Sequence, residues 1–559
     1  MVSVRVLVTA VLPSKKNHSF SIGSKMFFFA PILLFLAMFW GPTSARANEI
    51  YIAQNATGAA NGADCADALP YTYFNTAANW TAGAPTGTKI GPGTTVHLCG
   101  LFTGAAGSTL ITAQGSGSSG NPVTLKFEPG ATLTAPYWGS TSAGAITVSG
   151  RSWLVIDGGT NGIIQATDNG TGLTYHVLSL GIYVSNSSNV TIQNLTIANM
   201  CQHDPSDSAA CVTGGTNDGG ISIKNGATNV TVAKNAIHDT YTAVFYNGAP
   251  GDSNVTISYN TISRINWGIG GIGTTNGVIV NGNDISCVVG ANCNWDPNSV
   301  GHHNGIMFFP QGTIMDGVVI SNNFIHDING QTTGYIFLDP NSTGDVRNAL
   351  IYNNVFYTSP GQTGPANDMI EPGAYVMGTG IYNNTMVGPA ACGFGYYQGA
   401  TAENNIAAGQ SYLECVNHAN GGNTSAYNDF YGWTGSGGWT NNSAGIWSTI
   451  AAWQTASTSY GYCTGACDGT GSIVANPNLN ASFVPNANSP VIGAGTNLIS
   501  LGIPGLNTGA PQFFGVNYAC GNGCVRRPST GAWDMGAYQM SQGSVSLPNP
   551  PTNLTGTVH

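Results

Sequence analysis

Charged residues are scarce in this chain, and basic residues are the scarcest. Of 559 residues only 7% are Asp, Glu, Lys or Arg, whereas 78 are glycine. Five of the 14 Lys and Arg lie in residues 1–47, so the rest of the chain has 9 basic and 24 acidic residues, a net charge of −15. We therefore expect no nucleic-acid partner, because binding phosphates requires clustered basic side chains.

The N-terminal apolar run is too short for a membrane span. The run MFFFAPILLFLAMFW has 15 residues, whereas a spanning helix needs roughly 20. Lysines precede it and Ala45-Arg46-Ala47 follows it, which is the pattern of a secretory signal peptide. We expect residues 1–47 to be removed, and the mature protein to be secreted or held at the cell surface with no membrane segment. An uncleaved membrane anchor is the alternative.

Several motifs that would assign a chemistry are missing. No helical periodicity of useful length occurs, which excludes a doubly wound α/β fold. No glycine-rich phosphate loop opens a helix, and no Ser-His-Asp context is visible. Neither Cys-x3-Cys pair is accompanied by a second Cys or His pair at zinc-binding spacing.

All 12 cysteines follow residue 47 and fall into near neighbours. An even number of cysteines in an exported chain predicts disulfides. Local pairing is expected, because a solenoid keeps distant turns apart. The expected pairs are Cys65/Cys99, Cys201/Cys211, Cys287/Cys293, Cys392/Cys415, Cys463/Cys467 and Cys520/Cys524.

Residues 181–408 repeat one pattern: Gly-Ile-x-Ile, a few polar residues, Asn-Val-Thr-Ile, then Asn-x-Ile. Copies include GIYVSNSSNVTIQNLTI, GISIKNGATNVTVAKNAI and DGVVISNNFI. A fixed theme with a period of twenty to forty residues is the signature of a solenoid. Apolar residues alternate with polar ones in short strands, so one side of each strand is buried.

Asparagine and glycine separate the strands, and both tolerate the left-handed backbone of sharp corners. Each corner Asn stands two residues before an apolar strand residue, and equivalent Asn side chains are expected to bond one another along the coil. These residues are Asn235, Asn260, Asn283, Asn323, Asn354, Asn384 and Asn404.

These copies, the segment NPVTLKFEPGATL and the terminal SPVIGAG…RRPSTGAWDMGAYQ resemble secreted proteins of the pectate-lyase-like superfamily over roughly residues 49–540. The resemblance implies an all-β fold, a single-stranded right-handed parallel β-helix (solenoid) with N- and C-terminal caps. The expected parts are a signal peptide (1–47), an N-terminal cap and first strands (48–136), the β-helix core (137–420), C-terminal turns and cap (421–541) and a Pro-rich tail (542–559). The superfamily includes lyases, hydrolases, epimerases and non-enzymatic surface proteins, so fold alone assigns no activity.

Long inserts mark where a site is expected. Residues 200–219, 287–304 and 359–368 each follow an Asn-x-Ile strand and precede a Gly-Ile-x strand, so all emerge from one edge of the coil and wall a groove. If Ile182, Ile221, Ile306 and Ile336 point inward, their alternates form the floor of that groove. The substrate-binding candidates are Tyr183, Asn247, Phe309 and Phe337. Aromatic faces suit sugar rings, and packing beneath the loops is the alternative.

Lys224 is one of only nine basic residues after residue 47, and it follows a loop with Asp204, Asp207 and Asp218. A lyase acting on a uronic acid needs a positive charge on the carboxylate, a base for the α-proton and a proton for the leaving oxygen. A lysine of lowered pKa can be the base, with Asp218 beside it, and Asp204 and Asp207 can hold Ca²⁺. A solvated lysine balanced by nearby acids is the alternative.

A second cluster lies in SVGHHNGIMFF, YIFLDP and NDMIEPG. His303 (or His302), Asp339, Asp368 and Glu371 supply the acid and base types of a glycoside hydrolase, whose carboxyl groups stand about 5–10 Å apart. The paired aspartates, Gly-His-Gly and Arg-x-Lys of polygalacturonases and the arginine-rich signature of the main pectate lyases are both missing.

The sequence predicts a monomeric exported protein that binds and degrades an extracellular polysaccharide, with lyase chemistry ranked slightly ahead of hydrolysis. A non-catalytic surface or adhesive protein is the alternative.

Overall fold

The computed structural model describes residues 48–204, 211, 219–248, 253–273, 276–289, 292–293, 303–328, 334–340, 343–362, 364–416, 421–441, 444–508 and 525–541. The side chains of residues 248, 288, 289, 292 and 293 are outside this description. The chain divides into the units Met1–Arg46 and Ala47–His559, and the expected signal peptide lies outside the described residues.

Short parallel strands stack into three faces, called A, B and C here in the order in which the chain visits them in each turn. Face A contains Ile111–Thr112, Ile146–Ser149, Ile182–Ser185, Ile221–Lys224, the ends of Ala236–Gly248 and Thr261–Gly273, Asn304–Phe308, Ile336–Leu338, Asp368–Pro372, Cys392–Tyr396, Tyr412–Val416 and Trp439–Asn441. Face B contains Asn48–Ala53, Thr94–Leu98, Val123–Phe127, the first parts of Ser152–Ala166 and Ser188–Ala198, Thr228–Ala233, Ser253–Ser258, Ile279–Asn281, Val319–Ser321, Leu350–Tyr352, Gly380–Tyr382, Thr401–Glu403 and Thr424–Ala426. Face C contains Leu101–Thr103, Thr132–Ala135, the remaining parts of the four long strands, Asp284–Ser286, Phe324–His326, Val355–Tyr357, Thr385–Val387, Ile406–Ala408 and Asp429–Tyr431.

Smaller elements decorate this coil. Ile314–Asp316, Asp345–Arg347 and Val376–Met377 form a small parallel sheet between faces A and B. Leu69–Pro70 pairs with the first strand, Val288–Val289 pairs with Asn292–Cys293, and Gly445–Trp447 pairs antiparallel with the last strand of face A. The 3₁₀ helices are Tyr71–Tyr73, Ala77–Asn79, Ile499–Leu501 and Leu506–Thr508.

Alternation places every second side chain of each strand inside the coil. On face A the inward residues stack in register over successive turns and are at most 1% exposed. The stack is Ile182, Ile221, Val244, Ile269, Ile306, Ile336 and Ile370. The expected inward orientation of the four isoleucines is confirmed, and burying these side chains, at about 1.5–3 kcal/mol each, holds the turns together.

An asparagine ladder follows the corner between faces B and C. Each ladder Asn donates from Nδ2 to the Oδ1 of the next, at 2.9–3.1 Å. A residue with positive φ precedes each one and turns the chain through the corner. The ladder comprises Asn235, Asn260, Asn283, Asn323, Asn354, Asn384, Asn405 and Asn428.

The expected ladder is confirmed for its first six members, but the prediction that Asn404 belongs to it was wrong. Asn404 is itself the left-handed residue of its corner, with φ 61°, so its side chain points outward and donates to the backbone O of Thr496 at 2.8 Å. Its neighbour Asn405 takes the ladder position.

Four of the expected disulfides are confirmed: Cys65–Cys99, Cys201–Cys211, Cys392–Cys415 and Cys463–Cys467. Cys287 is also disulfide-bonded. The side chain of Cys293 and the pair Cys520/Cys524 lie outside the described residues.

The α-helix Ile450–Tyr460 was not predicted from the sequence. Thr449 caps its first turn by accepting the N–H of Ala452, and Gly461 ends it with φ 68°. Trp453 packs from this helix into the main core. Within the described part of the chain, no helix is long and apolar enough to cross a membrane.

Residues 476–508 and 525–541, called the C-terminal segment here, run back along the outside of the coil. Outward side chains of the corner between faces B and C donate to its backbone: Asn353 to Leu506 and Asn383 to Asp534. The fold is the all-β right-handed parallel β-helix that the repeat predicts, its hand following the rule for parallel crossovers.

Candidate functional site

The long loops all emerge at the corner between face C and face A, as expected. They connect Ser188–Ala198 to Ile221–Lys224, Asp284–Ser286 to Asn304–Phe308, and Val355–Tyr357 to Asp368–Pro372. The buried disulfide Cys201–Cys211 braces the first loop. The outer side of face A therefore lies beside the corner from which these loops leave.

An apolar cluster separate from the coil interior covers the middle of this outer side. It contains Phe245, Trp267, Met307 and Phe337, with Ile272 and Phe309 partly buried beside it. We call these six residues the aromatic strip. Phe337 is only 5% exposed because its neighbours cover it, whereas Phe309 is half-buried. Phe309 therefore retains surface for a ligand, and the Phe337 ring mainly packs.

Three carboxyl groups meet where the aromatic strip ends. Asp339 follows the strand Ile336–Leu338, and Asp368 and Glu371 lie on the next strand of face A. Phe337 and Glu371 are register partners, so Asp339 and Glu371 are one turn and two residues apart. Asp368 is 4% exposed, and its Oδ2 has no hydrogen-bond partner among the described residues. We call Asp339, Asp368 and Glu371 the carboxylate cluster.

Burial and mutual repulsion keep protons on this cluster. Burial, then the charge of Asp339, raises the pKa of Glu371 to about 7, although the hydrogen bond from Asn367 lowers it. Asn367 Nδ2 donates to both carboxylate oxygens, at 3.1 and 3.3 Å. Burial and then the charge of Glu371 raise the pKa of Asp368 well above its ordinary value. Neutral and charged carboxyl groups therefore stand side by side near pH 7, as acid–base catalysis requires.

Two glycines make room for these carboxyl groups. A Cβ on Gly395 would lie 2.6 Å from Asp368 Oδ2, and a Cβ on Gly373 would overlap the carboxylate of Asp339. Any side chain at either position would displace an acid of the cluster.

Lys224 does not belong to the carboxylate cluster. It ends the strand Ile221–Lys224, with Nζ 5.8 Å from the centroid of the Phe245 ring. Lys224 is the register partner of Asn247 on the next turn. The equivalent positions on the following three turns are Ile272, Phe309 and Asp339. Four steps of about 4.8 Å place the lysine roughly 19 Å from this acid. The two clusters that the sequence suggested are therefore opposite ends of one outer surface.

Two further substrate-binding candidates lie at the Lys224 end. Asn247 is exposed on the neighbouring turn. Tyr183 is 4% exposed, and its hydroxyl accepts a hydrogen bond from Asn225 Nδ2 at 3.3 Å.

The remaining candidates stand apart or lie outside the described residues. His303 is fully buried and directly precedes Asn304–Phe308, two turns from Asp368. Asp204 is exposed, and its N–H donates to Thr171 Oγ1 at 3.1 Å. Asp207, Asp218 and His302 are not described.

Of the residues expected to hold Ca²⁺ in the first loop, Asp204 is the one that falls within the described residues, and Asp207 lies outside them. Two groups of described residues bring three potential ligand side chains together, one around Asp368 and one around His176. In each group the other two members are disulfide-bonded cysteines, which are not metal ligands.

No protein-family model and no curated protein sequence matches this chain. Solved structures of similar chain path include pectate lyase Pel9A (15% identity, 88% of this chain, 96% of that chain, TM-score 0.41). They also include PfbA, a surface adhesin of Streptococcus pneumoniae (13% identity, 61% of this chain, 80% of that chain, TM-score 0.40). A third is the GH136 lacto-N-biosidase of Eubacterium ramulus (12% identity, 77% of this chain, 67% of that chain, TM-score 0.40). These similarities concern the fold alone. They assign no residue a role.

The three acids were predicted as site residues from the sequence, but the residues around them were not. Asn367 directly precedes Asp368, so the run NDMIEPG contains a sequence signal for this partner. The disulfide Cys392–Cys415 beside Asp368 and the buried Phe245 and Trp267 were recognisable only once the register of face A was known.

Proposed function

We propose that this protein is exported and hydrolyses a glycosidic linkage of an extracellular polysaccharide at the carboxylate cluster. The observation that carries the proposal is the position of Glu371 one turn from Asp339 on the outer side of face A, with Asn367 bonded to its carboxyl group and burial raising its pKa. An open surface of several turns suits an extended polymer better than a small molecule.

The cluster supplies the groups that hydrolysis needs. Glu371, neutral at mildly acidic pH, donates its proton to the glycosidic oxygen as the C–O bond breaks. Asp339 accepts a proton from the water that attacks the anomeric carbon. Asn367 holds the Glu371 carboxyl through two hydrogen bonds, and Asp368 keeps a neutral carboxyl at the base of the cluster.

The test is a screen of neutral and acidic polysaccharides for new reducing ends and for unsaturated uronide absorbance. Hydrolysis yields reducing ends without that absorbance. We expect Asp339→Asn to abolish activity, and Asp316→Asn, which changes an exposed acid of the small sheet, to leave it unchanged.

Elimination at Lys224 with bound Ca²⁺ is the second candidate, favoured by the lysine on the same outer surface. If the wild-type protein produces unsaturated uronide absorbance, and this absorbance disappears in Lys224→Ala and on chelation of Ca²⁺, the reaction is elimination and not hydrolysis. Absence of both products on every polymer would favour a non-catalytic surface protein.

The pH dependence of kcat/KM provides a separate prediction. Glu371 must carry a proton to act as the acid, so we expect kcat/KM to fall as the pH rises through about 7. Asn367→Leu removes a hydrogen bond that favours the ionised form, so it should move this alkaline limb to higher pH. An alkaline limb that stays in place in Asn367→Leu would show that Glu371 is not the group that titrates.

A further inference from the structure

A cavity of about 490 Å³ lies on the outer side of face C, away from the carboxylate cluster. The strands Phe324–His326 and Val355–Tyr357 form its floor, and residues 479–483 of the C-terminal segment form its other wall. A volume of this size is typical of small-molecule sites, which range from about 300 to 1,000 Å³.

Aromatic rings form much of the wall. Phe324 and Phe483 have centroids 5.8 Å apart, and Tyr357 lies 4.7 Å from Phe483. Phe324 also stacks on the His326 ring at 4.2 Å. The cavity therefore presents π faces that come both from the coil and from the C-terminal segment.

His326 and Asp327 lie at the floor of the cavity and form a triad with Asp284, which is not a lining residue. His326 Nε2 bonds Asp284 at 3.1 Å and Nδ1 bonds Asp327 at 3.0 Å. Burial lowers the pKa of His326, but the hydrogen bonds to the two carboxylates outweigh it and raise the pKa to about 9. One imidazolium between two carboxylates has a net charge of −1, and the lining residues include neither Lys nor Arg.

The polar atoms of this triad already bond one another and their neighbours. Ser359 donates to Asp327 from both its N–H and its hydroxyl, at 2.7 and 3.0 Å. The triad can therefore attract a ligand through its negative charge, but it has few polar atoms left for new hydrogen bonds. A sugar needs many hydrogen bonds, and a neutral hydrocarbon does not use the charge. A cation with alkyl groups on its nitrogen uses both the charge and the π faces.

The wall contributed by the C-terminal segment is held in a strained turn. Phe483 has φ 64°, which is rare for a bulky residue. Asn480 Oδ1 accepts the N–H groups of Ser482 and Val484, at 2.8 and 3.1 Å, and thereby fixes this turn. Backbone strain that is held in place this way concentrates at ligand clamps.

We propose that this cavity binds a small organic cation with an alkylated nitrogen, the charge facing the Asp284–His326–Asp327 triad and the alkyl groups lying on Phe324, Tyr357 and Phe483. The site is independent of the carboxylate cluster, so it stands whether or not the protein hydrolyses a polysaccharide.

The test is calorimetric titration of the full-length protein at pH 7 with choline and with 3,3-dimethyl-1-butanol, its neutral isostere. We expect choline to bind at least about tenfold more tightly than the alcohol, and Tyr357→Leu to weaken choline binding about threefold to thirtyfold. Asp327→Asn should remove the preference for the cation. Tyr431→Leu is the matched control, because Tyr431 has the same register position three turns further along face C and does not line the cavity.

Equal binding of choline and the alcohol, absence of saturable choline binding, or choline binding that Tyr357→Leu leaves unchanged would each overturn the proposal. If Asp327→Asn fails to fold, as judged by its melting temperature, the isostere comparison and Tyr357→Leu decide the question without it.

Discussion

We expect Glu371→Gln to lower kcat by about a hundredfold to ten-thousandfold, the usual contribution of a general acid. Glutamine keeps the size of the side chain and can still accept a hydrogen bond from Asn367, but it has no proton to donate to a leaving oxygen. The loss should be greatest on substrates with poor leaving groups. An activated aryl glycoside of a susceptible sugar should recover part of the rate, because its leaving group needs less protonation.

The same substitution should stabilise the protein at alkaline pH. The pKa of Glu371 is about 7 in the folded protein against an ordinary value of 4.5. The folded state therefore binds more protons than the unfolded state between these values, and the wild-type protein loses stability as the pH rises through that window. Glutamine does not titrate, so at pH 8 the variant should exceed the wild type by on the order of 1–3 kcal/mol in free energy of unfolding. At pH 4 this advantage should disappear.

Guanidinium denaturation of both proteins at pH 4 and pH 8 measures this difference. Glu403→Gln is the matched control, because burial also raises the pKa of Glu403 but this residue lies on face B, away from the cluster. We expect that control to gain stability at pH 8 and to keep full activity. A Glu371→Gln variant that keeps its activity would contradict the proposed function, and one that loses stability at pH 8 would contradict the raised pKa.

The second large effect concerns the asparagine ladder. Asn323 is fully buried, and its Nδ2 donates to Val280 O and to Asn354 Oδ1, both at 3.0 Å. Its Oδ1 accepts from the N–H and the Nδ2 of Asn283, at 2.9 and 3.0 Å. Asn323→Ala therefore removes four buried hydrogen bonds and leaves the N–H of Asn283 and the acceptor at Val280 O without this partner in the interior. Asn354 Oδ1 still accepts the backbone N–H of residue 323, and Asn283 Nδ2 still donates to Ile257 O.

We expect Asn323→Ala to cost about 3–5 kcal/mol in free energy of unfolding, since each unsatisfied buried group carries a desolvation penalty. The shift of the guanidinium midpoint measures this cost. Asn254→Ala is the matched control, because Asn254 also bonds an equivalent residue on the neighbouring turn, Asn229 at 3.0 Å, but on an exposed corner. Loss of that bond and the φ of 55° at Asn254 should together cost about 1–2 kcal/mol. Similar costs for the two variants would show that burial of the ladder contributes little.

The repeated sequence pattern is sufficient to predict the coil and the corner at which its long loops leave. Gly-Ile-x-Ile and Asn-Val-Thr-Ile have the alternation that buries one side of each strand, and the corner Asn residues mark each turn. The strands and corners of one turn can therefore be predicted from a single copy of the repeat. Lengthening of the repeat at three places predicted the looped corner between faces C and A. Four disulfides were predictable because their cysteines lie close along the chain.

Which side chains become neighbours depends on the folded structure and cannot be read from the repeat. Asn404 and Asn405 have identical side chains, and the left-handed φ of Asn404 decides which of them enters the ladder. Lys224 and the carboxylate cluster both belong to face A, but their separation depends on how many turns intervene. The long strands Ala236–Gly248 and Thr261–Gly273 run from face C into face A without a loop, and no repeat spacing reveals this.

The cavity on face C could not be predicted from the sequence either. His326 and Phe483 are far apart in sequence and meet because the C-terminal segment folds back along the coil. Local patterning determines each turn through alternation and backbone conformation. The sites arise from register between turns and from the path of distant segments, and both depend on packing summed over the whole coil.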